Sequence, residues 1–102
     1  MNNKLLTLLG FASKSGNLSY GLGASKASVM AGKSKLLIVC SDISEKSLKE
    51  VNFHGEKYNV KVKVLQNTDT FTVTNAVGRK CGILSVNNSS FADAIMSLGG
   101  NV

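Results

Sequence analysis

The chain has 102 residues, 43% hydrophobic and 18% charged, enough for one domain with one core and too short for two. No apolar run approaches the roughly 20 residues needed to cross a bilayer. The net charge is +6, and residues 1 to 41 carry Lys4, Lys14, Lys26, Lys33 and Lys35 with no acid before Asp42, a distribution that suits nucleic acid or another polyanion.

In chain order, Asn3 to Ser15 places Leu5, Leu8, Leu9 and Ala12 on one face at helical spacing, flanked by Leu6 and Phe11. Thr7 and Gly10 interrupt the apolar run, which separates it from a signal-peptide core. Gly16-Asn17 ends the helix, and Asn17 to Tyr20 reads as a short edge strand. The turn at Gly21–Ala24 opens a second helix, Leu22 to Ala31, with Gly32 as its stop. Lys35 to Cys40 is a continuous apolar strand of the kind covered on both faces.

Asp42 and Ser44 are both candidate caps for a third helix running to Tyr58, and Glu45 stands three residues after Asp42 as a capping box requires. Leu48, Val51, Gly55 and Tyr58 form its inner stripe, so close packing is expected at Gly55. His54 lies off that stripe and reads as structural. Val60, Val62 and Val64 alternate with Lys61 and Lys63, the pattern of a half-buried strand near a sheet edge. Thr68 or Asp69 caps a short helix through Phe71, Val73 and Val77, stopped by Gly78. Cys81 to Val86 is the last strand, and Ser89 or Ser90 caps a final helix that ends at Gly99-Gly100. Alternating helices and strands at this spacing give an α/β fold, a three-layer α/β/α sandwich around a small mixed four-stranded sheet.

Motifs for chemistry fail on inspection. Gly32-Lys33-Ser34 leads into a strand rather than a helix and lacks the glycine a P-loop needs at Ala27. Gly21-x-Gly23 has no third glycine and no preceding strand of useful length. One histidine, six scattered acids and two cysteines outside any CxxC pair assemble no triad, carboxylate pair or zinc site. No enzyme activity, metal or cofactor is expected. Cys40 and Cys81 read as buried reduced thiols, which favours the cytoplasm. What remains is an anion site built from helix-start backbone amides and lysines at Gly21, Gly23, Ala24, Ser25 and Lys26, helped by Lys14 and Lys33, with a second basic turn at Arg79-Lys80.

The segments LLGFASKSGNLSYG, AGKSKLLIVCSDIS, YNVKVKVL, NAVGRKCGILSV and FADAI, in this order and spacing, resemble the bacterial YlxQ-like branch of the L-seven-Ae/L-thirty-e ribosomal protein superfamily. The resemblance spans nearly the whole chain. It implies a three-layer sandwich that binds RNA, typically kink-turns in structured or ribosomal RNA, with ribosomal or other RNA-associated proteins as further partners. The family's reading signature is Asn-Glu followed by Lys three residues later; here those positions hold Gly23, Ala24 and Ala27. Lys26 is one position early, about 100° around the helix. Gly21 matches, Lys14 stands at a usually basic position, and Arg79-Lys80-Cys81-Gly82 occupies the second RNA-facing loop. Loss of the base-reading side chains implies weaker, more salt-sensitive and less selective RNA binding. It also leaves open a protein-interaction adaptor on the same fold. The lysine-studded Val60–Leu65 strand argues against edge-to-edge pairing, so a monomer is expected.

Overall fold

In the computed structural model, which describes residues 3–98, strand pairing begins from the two most apolar runs of the chain. Leu36–Val39 (β2) and Ile83–Val86 (β4) are buried at every position and pair antiparallel, Leu36 opposite Val86 and Val39 opposite Ile83. Leu18–Tyr20 (β1) joins the outer side of β4 antiparallel, and Val62–Val64 (β3) joins the outer side of β2 in parallel. The mixed sheet therefore has the order β1-β4-β2-β3. Both central strands are covered on both faces, which is why they lack the polar alternation of a one-sided sheet.

Among the described residues, five helices supply the cover. Asn3–Lys14 (α1), Thr70–Val77 (α4) and Ser89–Met96 (α5) pack on one face, where Leu5, Leu9, Val73 and Ile95 meet Leu36, Ile38, Leu84 and Val86 with no exposure. Gly21–Met30 (α2) and Glu45–Lys57 (α3) pack on the other, with Val29, Val51, Leu37, Val39 and Ile83 as its centre. Each fully buried aliphatic side chain contributes about 1.5–3 kcal/mol relative to exposure. Phe11, which flanks the apolar stripe of α1, stays largely exposed. The stop expected at Gly99-Gly100 lies outside the described residues.

Of the two cap candidates for α3 the structure uses Ser44, whereas α5 is capped by a residue outside the expected pair. Ser44, not Asp42, caps α3 by accepting from the Ser47 amide, and Asn88, not Ser89 or Ser90, caps α5 by accepting from the Phe91 amide. In each case the residue immediately before the first helical turn has the extended backbone a cap requires, whereas Ser89 and Ser90 already lie within the turn. Asp42 is used elsewhere. Its Oδ1 accepts from the Thr70 amide at 2.9 Å and the Thr70 hydroxyl at 2.7 Å, while Asp69 caps α4 through the Thr72 amide at 2.9 Å. Two carboxylates thus hold the first turn of α4, and these hydrogen bonds keep both carboxyls below the usual aspartate range. Gly78, left-handed at φ 81°, closes the helix.

The Gly55 expectation is met. A Cβ there would lie 2.6 Å from Val62 Cγ2 and 2.7 Å from the Val60 carbonyl oxygen, so only glycine lets α3 sit this close to the strand beside it. Gly55→Ala gains about 1 kcal/mol of helix propensity. It must also displace a backbone carbonyl next to the Val60 amide bond to Gly55, and overpacking costs about 1–3 kcal/mol or more. The urea midpoint of Gly55→Ala is expected to fall; an unchanged or raised midpoint contradicts this packing.

The α4 carboxylates fix an acid-side behaviour. Both are depressed in the folded state, so the unfolded chain binds more protons below about pH 4, and the stability they supply is present above that range and lost as pH falls through it. Asp42→Asn is expected to flatten the fall of the urea midpoint between neutral and acid pH. An unchanged slope excludes Asp42 as a contributor.

Candidate nucleic-acid interface

The two basic turns meet through one tyrosine. Tyr20 ends β1 beside Leu84 and is the residue before α2. The Ser13 hydroxyl donates to the Val77 carbonyl at 2.8 Å, so in its 2.6 Å contact with Tyr20 it accepts the phenolic proton. Over the Tyr20 ring, 4.7 Å from its centroid, lies the Arg79 guanidinium. The end of α1, the start of α2 and the end of α4 with its following turn are tied together at this point. Lys14 is exposed one residue after Ser13, and Lys80 is exposed one residue after Arg79, lining an open hollow of about 390 Å³ with Asp42, Thr70, Phe71 and Thr74.

At the same place α2 begins without a side-chain cap. Tyr20 has extended backbone and no acceptor for the helix amides, Gly21 turns the chain at φ 89°, and the first turn contains no acid. The amides of this turn therefore keep their donors and the positive end of the helix dipole is uncompensated. Gly23 and Ala24 are exposed, and a Cβ at Gly23 would meet nothing within 4 Å, so the backbone here is open to close approach.

Two of the expected anion-binding residues, Lys26 and Lys33, stand differently, and Ser25, expected through its backbone amide, buries its side chain. Ser25 is 1% exposed, and its Oγ has no hydrogen-bond partner, so its side chain faces the sheet rather than the surface. Lys26 is half-buried and committed to Glu50 of α3 at 2.6 Å, and this contact holds the Glu50 carboxyl below its usual range. Lys33 is exposed at the other end of the sheet. Lys35 donates to the Val86 carbonyl and Leu18 faces Val86, whereas Tyr20 faces Leu84, so the ten residues of α2, about 15 Å, separate Lys33 from Gly21. Arg79 lies at the Tyr20 junction and Gly21, Gly23 and Ala24 lie within the helical turn that follows it; Lys14 and Lys80 are the chain neighbours of Ser13 and Arg79, and Lys33 is apart.

Sequence reasoning missed Ser13, Tyr20 and Val77, which make the junction. An aromatic residue directly before the turn glycine was the available signal; its partners are 7 and 57 or more positions away and share no pattern with it. Behind the surface, a Ser85–Asn87–Ser19–Ser28 chain of hydrogen bonds, 2.5 to 2.9 Å, fastens the inner side of α2 to β1 and β4. Cys40 and Cys81 are free and buried; burial pushes the Cys40 thiol up to about 12 and the Cys81 thiol upward as well, so neither is a ready nucleophile or metal ligand. Among the described residues no group of three or more metal-ligating side chains comes together, and no helix is long and apolar enough to cross a membrane.

No protein-family model matches the chain, and neither does any curated protein. A solved structure of a protein of unknown function from Bacillus halodurans is similar over 95% of this chain and 97% of its own, at 26% identity and a TM-score of 0.88. The 15.5 kD RNA-binding protein of Giardia lamblia is similar over 96% of this chain and 87% of its own, at 14% identity and a TM-score of 0.76. At that identity the likeness to the Giardia protein is one of fold.

Ser25 gives a direct check on which side of α2 faces a ligand. Deleting a buried hydroxyl without a partner removes a desolvation cost of about 1–3 kcal/mol, so Ser25→Ala is expected to raise the unfolding midpoint and leave anion binding unchanged. Weakened binding would put the hydroxyl on the ligand side.

Proposed function

We propose that the chain is a non-catalytic RNA-binding protein of the L-seven-Ae/L-thirty-e superfamily, in its YlxQ-like branch, that acts as a cytoplasmic monomer on kink-turn-like or other structured RNA, ribosomal RNA included. The observation that carries this reading is the Tyr20 junction, where the Arg79 guanidinium lies over the ring of the residue that precedes an uncapped helix start, with Lys14 and Lys80 as chain neighbours of Ser13 and Arg79. Unpaired helix-start amides beside a guanidinium, with further lysines next in the chain, suit phosphate groups. The fold shared with an RNA-binding protein supports the same class of ligand. Gly23, Ala24 and Ala27 carry no hydrogen-bonding side chains, so phosphates position the RNA and little at this helix start reads its bases.

A second reading rests on the outer side of α2, where Gly23, Ala24, Ala27 and Met30 are exposed, Met30 at 62%. Such a face suits an adaptor that captures ribosomal or other RNA-associated proteins in place of RNA bases.

The two separate in a salt series with a kink-turn RNA and a plain duplex of equal length. The RNA reading expects Arg79→Gln to weaken kink-turn binding and to reduce the salt slope by roughly 0.7–0.9, one phosphate contact. Lys33→Gln should leave both nearly as they were. Equal and weak binding of the two RNAs, unaffected by Arg79→Gln, would overturn it in favour of the adaptor.

A further inference from the structure

The outward face of α3 carries a second pattern. At about 100° per residue, Lys46, Lys49, Phe53 and Lys57 fall within roughly 80° of arc, centred some 170° from the buried stripe of Leu48, Val51 and Gly55. All four are exposed, Phe53 at 62%, and they extend over about 16 Å of helix. Lys57 holds its ammonium 6.0 Å from the Phe53 ring centroid and 5.5 Å from that of Tyr58. His54 packs edge-on to Phe53 and stacks on Tyr58, which fixes the aromatic cluster from the inner side. The acids of the helix stand off this line: Glu45 and Glu56 to one flank, Glu50 to the other and neutralised by Lys26. Exposed Lys61, just before the neighbouring edge strand, adds a further cation.

From this arrangement we infer that the outer stripe of α3 binds an unpaired nucleic-acid strand, one base stacking on Phe53 while Lys46, Lys49 and Lys57 take the flanking phosphates. The inference extends the RNA-binding reading to a second surface and rests on it. A solvent-facing aromatic ring within a row of cations is how proteins hold single strands without reading sequence. A duplex keeps its bases stacked inside and offers the ring nothing. A protein partner fits less well, because lysines are depleted from the cores of protein interfaces and a lone phenylalanine gives a small apolar anchor. The helix that carries this stripe lies beside α2, to which the Lys26–Glu50 pair joins it. An unpaired extension of an RNA held at the start of α2 would reach the stripe on the neighbouring helix.

The test compares wild type, Phe53→Ala, Phe53→Tyr and Arg79→Gln on three RNAs: a kink-turn, the same kink-turn with an unpaired oligouridylate tail, and a blunt duplex. The tail is expected to tighten wild-type binding. Phe53→Ala should abolish that gain, a loss of roughly tenfold, while Phe53→Tyr retains it. Phe53→Ala should leave binding to the tailless kink-turn unchanged, whereas Arg79→Gln weakens it. If the tail adds nothing, or if Phe53→Ala keeps the whole gain, the α3 inference fails while the junction reading stands. If wild type binds none of the RNAs but retains an acidic protein through α3, both fail.

Discussion

The arrangement of the candidate site depends on a hydroxyl-to-hydroxyl contact at the edge of the sheet. Tyr20 lends its phenolic proton to Ser13, which holds the Val77 carbonyl, and lends its ring to Arg79. The ends of α1 and α4 lie together on one face of the sheet and α2 starts on the other; the Tyr20 contacts tie the two sides at this point, with Arg79 over the ring and the uncapped start of α2 one residue on. A net polar hydrogen bond contributes only about 0.5–1.5 kcal/mol, and a cation–π contact at an exposed site about 0.5–1. The junction therefore matters less for global stability than for which charges face the same way.

The rest of the fold keeps α2 fixed behind this point. The Ser19–Ser28 contact and the Asn87 and Ser85 bonds that continue from it satisfy polar groups along the inner side of the helix. Val29 anchors its far end in the apolar cluster. Ser25 is the exception, buried with nothing to bond, and it lies against the narrow space that His54 also lines, where Nδ1 of the histidine is likewise without a partner. Two orphaned polar atoms at the α2–α3 seam make this the least settled part of the core, in contrast to the closely fitted contact of Gly55 with β3.

Much of the fold was legible because its signals are local. Every element was recoverable from apolar period and glycine punctuation, and Gly55 announced close packing by being a poor helix former on a buried stripe. The caps were harder. Asp42 satisfied the local rule for capping α3, but the parallel pairing of β2 with β3, continued by the Ser41 amide donating to the Thr68 carbonyl, carries it to α4, and its bonds go to Thr70, 28 positions on. The site was legible in its cations and not in its geometry. Lys33 and Lys26 look like members of the same basic loop in sequence, yet a ten-residue helix removes the first and a carboxylate on another helix claims the second. Long-range pairing decides both, and no local pattern encodes it.

On the proposed reading, the turns at Gly21–Ala24 and Gly78–Lys80 make a single ligand surface joined at Tyr20. The most direct measurement is the backbone amide spectrum of the isotope-labelled protein during titration with a kink-turn RNA. The account predicts that amides of both turns shift together along one binding curve, while those around Lys33 at the opposite end of the sheet stay in place. Shifts centred on Lys33 and the end of α2, or two turns that respond at different RNA concentrations, would contradict it.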